Sequence, residues 1–181
     1  MTFEGKFRFI SATRTEAGEM DQPIAYTKEG RPLFDNTPTV VCVIVPDSCH
    51  RFYLAVKRAN DPGKGLWALP GGYHMRGESW QEAGAREVLE ETGYVIDTKK
   101  IKLLSLDTDE YGNNLIVALS HYPESPNRLP TDGEASDVLW ISQVGSPDEW
   151  AFPRHLAALE SHMEKRRKDA LWMRPRQKRY A

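Results

Sequence analysis

Apolar residues recur along this chain in short runs set between polar, turn-forming stretches, and one segment changes to a helical period. Val40 to Val45 is an unbroken apolar run ended by Pro46 and Asp47, the sign of a strand covered on both faces. Phe52 to Lys57 follows after a short turn and is the expected partner of that strand. Ile101 to Leu106, Leu115 to His121 and Val138 to Ser142 predict further strands, with Pro123 to Gly133 a loop between the last two. Ahead of them, Phe7 to Ile10 and Ile24 to Thr27 predict short strands joined by the polar stretch Ser11 to Gln22, a hairpin preceding the core.

The helical segment lies between Ser79 and Gly93. Ser79 followed three residues later by Glu82 is a capping box, and Gly93 falls where a glycine ends a helix in the left-handed conformation. At about 100° per residue, Glu87, Glu90 and Glu91 share one arc, while Ala85, Val88 and Leu89 lie opposite. The expectation is an apolar face that packs and an acidic face that stays open. A second helix is predicted from Arg154 to about Lys168, with Leu156, Leu159 and Met163 as its buried stripe. A sheet interrupted by one helix and closed by another is an α/β layered arrangement.

With 181 residues, 40% hydrophobic and 28% charged, the chain has the usage of one soluble domain. The start, Met1 to Arg8, carries no apolar signal region, and Val40 to Val45 is far too short to span a bilayer, so no membrane contact and a cytoplasmic location are expected. Cys42 lies in the apolar run and Cys49 in the turn after it, which favours two free thiols over a disulfide, and Cys49-His50 lacks the second close pair a zinc site needs. The formal charge of −2 is unevenly spread: Lys165 to Ala181 holds eight Lys/Arg and one acid, a net of +7, which leaves −9 on the rest. That basic tail reads first as the end of the second helix, where cations suit the dipole. The alternative is a handle for an anionic substrate or nucleic acid, with Trp172 and Tyr180 able to stack on bases.

Chemistry concentrates on the acidic arc. Glu87 and Glu91 stand at i,i+4 and Glu87 and Glu90 at i,i+3, where like charges cost a few tenths of a kcal/mol each. A solvated acidic face accounts for the glutamates alone; it leaves unexplained the Gly71-Gly72 loop, Arg86 beside the first acid and the closing glycine. A hard divalent cation accounts for more of the pattern, because Mg²⁺ takes carboxylate, carbonyl and water oxygens and leaves room for substrate phosphates.

The segment resembles the signature of the Nudix hydrolases: Gly, five residues, Glu, seven residues, Arg-Glu, an apolar residue, any residue, Glu-Glu, any residue, Gly, apolar. Gly72, Glu78, Arg86, Glu87, Val88, Glu90, Glu91 and Gly93 stand at those spacings, and Tyr94 replaces the usual aliphatic at the last position. The resemblance implies an α/β/α sandwich with a mixed β-sheet and a catalytic loop-helix. It also implies Mg²⁺, with Mn²⁺ as a substitute, held by Glu87, Glu90, Glu91 and the carbonyl of Gly71. Arg86 would orient carboxylates together with Glu78, Glu82 being an alternative partner. The general base would be Glu87 or a loop acid beyond the motif, for which Glu134 is chosen over Asp137.

Substrate recognition is less legible. Lys57 and Arg58 end a strand before Gly63-Lys64-Gly65 and could meet a phosphate, or could be surface charge. Trp67, Tyr73 and Trp80 could stack on a base, or pack in the core. Tyr111 lies near the position where relatives that cleave dinucleoside polyphosphates carry tyrosine, whereas Glu110 occupies the place of the proline that marks many ADP-ribose hydrolases. The longer array that follows the motif in relatives cleaving NADH is absent.

The expected enzyme cleaves the pyrophosphate of a nucleoside diphosphate linked to another moiety, with ADP-ribose or a related dinucleotide as first choice and dinucleoside polyphosphates or nucleoside triphosphates as alternatives. A non-catalytic nucleotide-binding regulator of the same fold is disfavoured, since such binders lose metal-site glutamates and this chain keeps them. The expected organisation is residues 1–35 as a hairpin extension that serves homodimer assembly, 36–164 as the hydrolase domain and 165–181 as the basic tail.

Overall fold

Both faces of the Val40 to Val45 run are covered, and by different layers. In the computed structural model, which describes residues 23, 25–34, 36–124 and 133–172, the run forms strand β3, Thr39–Ile44. Val41, Val43 and Val45 pack with Leu54, Ala83 and Val88 on one side. The alternating Cys42 and Ile44 pack with Leu115, Leu156 and Leu159 on the other. The period of two along the strand therefore feeds two separate apolar clusters, which is why the run is uninterrupted.

The chain divides into two compact units, meeting at Thr37 and Pro38. In the first, β1 (Ala25–Tyr26) pairs antiparallel with β2 (Pro32–Leu33) across a turn at Gly30, whose φ is 80°. The pattern missed β2, a pair of residues opening on proline. Phe7 to Ile10 and Ile24 lie outside the described residues.

In the second unit, β3 runs parallel to β8 (Asn114–Leu119) and antiparallel to β6 (Gly71–Tyr73), with β7 (Lys102–Thr108) outside β8, giving a mixed sheet of order β6-β3-β8-β7. A second sheet has the order β5-β4-β9, from Trp67–Ala68, Tyr53–Arg58 and Ala135–Ile141. The expected pairing of β4 with the Val40 to Val45 run holds only at its end, where Leu54 donates its amide to the Val45 carbonyl at 2.9 Å and Pro46 bridges Tyr53; otherwise β4 belongs to the second sheet. Both hydrogen-bonding edges of β3 are taken by β6 and β8. The chain turns a corner at Pro46 instead, where Asp47 Oδ1 accepts the amides of Arg51 (2.6 Å) and Phe52 (3.0 Å).

Helix α1 (Trp80–Thr92) begins and ends as its sequence dictates. Ser79 and Glu82 form the reciprocal capping box, and Gly93, at φ 75°, donates its amide to Leu89. Its inner face brings Gly84 so close to the sheet that a Cβ there would lie 2.8 Å from Val43 Cγ2. Tyr94, at the departing motif position, packs against the core and accepts the indole N–H of Trp140 on β9 at 2.9 Å. The hydroxyl gives tyrosine a purpose there that an aliphatic would lack.

Helix α2 (Pro153–Trp172) buries Leu156 and Leu159 and half-buries Met163, but its stripe also buries His155 and His162. It continues to Trp172, so residues 165–172 extend the helix and no separate tail starts at Lys165. Cys42 is buried and Cys49 exposed, both as free thiols. No helix among the described residues is long and apolar enough to cross a membrane.

Candidate active site

The glycine pair of β6 lies directly on the acidic arc of α1. Gly71 donates its amide to Glu91 Oε2 at 2.9 Å, and a Cβ on Gly72 would stand 2.6 Å from Glu87 Oε1. Glu87 and Glu91 are consequently buried, at 7% and 3% exposure. The expectation of an open acidic face is corrected: a backbone stripped of side chains can approach carboxylates this closely, and it covers them.

Arg86 ties the arc together. Its Nε and Nη2 grip Glu78 at 3.1 and 2.9 Å, its Nη1 donates to Glu87 at 2.6 Å and Glu90 at 3.1 Å, and Nη2 also reaches the carbonyl of Tyr73 at 3.0 Å. This forked geometry is available to arginine and not to lysine. Glu82 is occupied with the amide and hydroxyl of Ser79, so its role is confined to the cap. The Arg86 hydrogen bonds hold the Glu78 carboxyl below the usual range. Burial pushes Glu87 up, Arg86 pulls it down, and the charges of Glu90 and Glu134 push it up again. A positive charge supplied at this wall would relieve that repulsion.

A cavity of about 550 Å³ opens over the wall. Gly71, Arg86, Glu87, Glu90 and Glu134 all reach it, although Glu134 comes from the loop before β9. Arg58 and Tyr111 reach it from another side. Glu91 does not line it, being engaged beneath the Gly71 amide. Lys57 is not brought to it either: its ammonium lies 5.6 Å from the Trp67 ring, and Asp137 stands opposite it on β9. Of the aromatic candidates Tyr73 lines the cavity, whereas Trp67 and Trp80 pack against the two core clusters.

The sequence reading missed Phe152, His155, Asp109 and Asn113, which also line the cavity. The Arg58 guanidinium sits 5.0 Å over the Phe152 ring and donates to the carbonyl of Pro62 at 2.7 Å. Tyr111 meets Phe152 edge-on at 6.4 Å, and the His155 ring lies 4.8 Å from it. Asp109 closes the β7-β8 turn by accepting the amides of Tyr111 and Asn113 at 2.9 and 2.8 Å. The turn chemistry of Asp109 to Asn113 was readable; nothing local in the sequence placed Phe152 against Arg58.

His155 fastens the start of α2 to the link between β5 and β6 that leads into Gly71. Its Nδ1 accepts the Leu69 amide at 3.2 Å, which requires an unprotonated nitrogen there. Burial, then the Arg58 charge, depress its pKa from 6.5 to about 4. Because the unfolded chain takes up this proton first, stability is lost as pH falls from the ordinary histidine range towards 4, by ~3 kcal/mol at most from this group. Urea unfolding at a series of pH values is expected to show the loss. His155→Asn, which keeps an acceptor for Leu69, is expected to remove this share, leaving a slope from His162, itself held to about 4 by burial and then His50 and Arg166.

As they stand, no three His, Cys, Asp or Glu side chains among the described residues converge to hold a metal ion. The Arg86 guanidinium reaches both Glu87 and Glu90. The donors at the Arg86 wall of the cavity, the carboxylates of Glu87, Glu90 and Glu134 and the backbone at Gly71, are hard oxygens suited to Mg²⁺ or Mn²⁺ rather than to a thiophilic metal.

Comparison with known proteins agrees with this geometry. The chain is 48% identical over 48 residues to an ADP-ribose pyrophosphatase of Methanocaldococcus jannaschii, a match covering 26% of this chain and 28% of that protein. The matched stretch thus spans little more than a quarter of that relative. A NUDIX hydrolase structure from Nitrosomonas europaea superposes over 90% of this chain and 87% of its own, with TM-score 0.62 at 20% identity, a likeness of fold. The bifunctional NMN adenylyltransferase/ADP ribose pyrophosphatase of Francisella tularensis, complexed with AMP and a Mn ion, matches over 73% of this chain and 42% of its own, with TM-score 0.55 and 26% identity. The family model of the NUDIX domain matches residues 35–159, more than half of the chain, and with the motif set on its loop-helix the chain belongs to the Nudix family.

Proposed function

We propose that this Nudix protein is a divalent-metal-dependent pyrophosphohydrolase of a nucleoside diphosphate linked to a second moiety, with ADP-ribose or a related dinucleotide as the preferred substrate. The observation that carries the proposal is one cavity walled on one side by Glu87, Glu90 and Glu134 around Arg86, and on another by Arg58, Phe152 and Tyr111. Its volume of about 550 Å³ falls in the range of small-molecule sites. The names of the Methanocaldococcus and Francisella relatives support the choice of substrate.

A bound Mg²⁺ or Mn²⁺ would neutralise pyrophosphate oxygens and polarise the attacking water. Glu87, Glu90, Glu91 and the Gly71 carbonyl are the proposed ligands, and Glu91 would serve while still holding the Gly71 amide. Glu87 or Glu134 takes the proton as water adds to phosphorus and the bridging P–O bond breaks, giving a nucleoside monophosphate and a phosphorylated second product. Arg86 is a positioning residue that keeps Glu78, Glu87 and Glu90 in register. Arg58 is placed to meet a phosphate, and Phe152 and Tyr111 offer faces and edges to a base.

Product chromatography with ADP-ribose, NADH, diadenosine polyphosphates, nucleotide sugars and nucleoside triphosphates tests this. The expected result is fastest cleavage of ADP-ribose or a dinucleotide. Triphosphates as the sole good substrates would overturn the substrate and keep the reaction class, and binding without turnover of any of them would overturn the enzyme.

The segment before Asn36 we assign to homodimer assembly, because Phe3, Phe7, Phe9 and Ile10 are more apolar surface than a lone hairpin can bury. Sedimentation is expected to give a dimer for the full chain and a monomer for a chain starting near Asn36. A monomeric full chain, or an undiminished dimer after truncation, would defeat this.

A further inference from the structure

Two turns beyond His155, the buried stripe of α2 reaches a second histidine. His162 is 8% exposed, meets the Tyr53 ring edge-on at 5.5 Å and faces the His50 ring at 6.4 Å. Nε2 of His162 and Nδ1 of His50 are buried, and neither has a hydrogen-bond partner among the described residues. Buried polar atoms are nearly always paired, so a pair of orphans side by side asks for an occupant. His50 also adopts φ 53°, a left-handed conformation that is rare for a residue other than glycine.

Beside the His50 ring opens a cavity of about 340 Å³, lined by His50 and Arg51 from the corner after β3, by Tyr53 at the start of β4 and by Arg166 and Arg167 from α2. Among the described residues no Asp or Glu lines it. Asp47, the acid whose charge bears on His50, is committed to the amides of Arg51 and Phe52. None of the three arginines forms an ion pair among the described residues. Basic residues late in a helix suit its dipole, which accounts for Arg166 and Arg167. It does not account for Arg51, which comes from another element, nor for the two imidazoles.

We propose that this cavity is an anion site for a free phosphate or pyrophosphate, separate from the catalytic cavity. Guanidinium forks supply bidentate donors to phosphoryl oxygens, and of the two imidazoles His50 lines the cavity, with His162 packed behind it. The two cavities share no lining residue, and His155 and Arg166 stand about 16 Å apart along α2 at 1.5 Å per residue. An anion here would lock the corner after β3 to the second half of α2.

The test is a titration of the full chain with phosphate and with pyrophosphate in EDTA, which leaves the acidic catalytic wall repelling anions. Imidazole NMR signals and the melting temperature are followed, with sodium chloride at matched ionic strength as control. The expected result is a saturable shift of the His50 and His162 signals, an unmoved His155 signal and a raised Tm. Arg51→Gln and Arg166→Gln, surface changes on different elements, are each expected to weaken binding about tenfold. Shifts that chloride reproduces, a response confined to His155, or variants that titrate like the parent would each overturn the site. So would binding of an oligonucleotide with none of free phosphate or pyrophosphate.

Discussion

Glu87→Gln and Glu91→Gln are each expected to lower turnover by roughly two orders of magnitude or more, which corresponds to about 3 kcal/mol of lost transition-state stabilisation. Both leave the fold standing. A glutamine at 87 can still accept from Arg86, and one at 91 can still accept the Gly71 amide, so what disappears in each case is the negative charge. Glu82→Gln serves as the internal comparison, because Glu82 touches only the helix cap and its replacement should cost ~1 kcal/mol of stability or less with activity kept. Activity of the parent should vanish in EDTA and return with Mg²⁺. Turnover that persists in EDTA, or is undiminished in both charge-removing variants, would refute the assignment of this wall.

What could be read from sequence was what is decided locally. Ser79, Glu82 and Gly93 fix the two ends of α1 through contacts within a few residues, and the structure places those ends where the pattern does. The same holds for the double-sided burial of β3, since six consecutive apolar residues leave a strand no solvent face.

What could not be read was set by pairing at a distance. Phe52 to Lys57 follows β3 closely, yet it joins another sheet because β6 and β8 arrive from later in the chain to occupy the edges of β3. β6 itself is three residues long and rich in glycine, with no propensity to announce it. Its arrival is also what buries Glu87 and Glu91, so helical periodicity alone misjudged the acidic face. At the site, Lys57 and Arg58 were indistinguishable as neighbouring cations. Strand alternation sends one towards Trp67 and the other over Phe152, and only the partners of β4 reveal which.

The two glycines of β6 are expected to fail in opposite ways when each is replaced by alanine. A Cβ on Gly71 would collide with the carbonyl of Val41 and lie 2.6 Å from Cys42 Cα, both backbone atoms of the central strand. These cannot yield unless β6 separates from β3, so Gly71→Ala should cost ~3 kcal/mol or more, on the order of 10 °C in Tm for a chain of this size. A Cβ on Gly72 meets only the Glu87 carboxylate, at 2.6 to 2.8 Å, which is the far end of a flexible side chain. Gly72→Ala should therefore change stability by about 1 kcal/mol or less. It should nevertheless drive Glu87 off Arg86 and depress turnover nearly as far as Glu87→Gln. Thermal melts and saturating turnover measured on both proteins separate the cases. Full activity in Gly72→Ala would show that the position of Glu87 against β6 is immaterial to catalysis, and an unshifted melt in Gly71→Ala would show that β6 does not lie on β3 at this register.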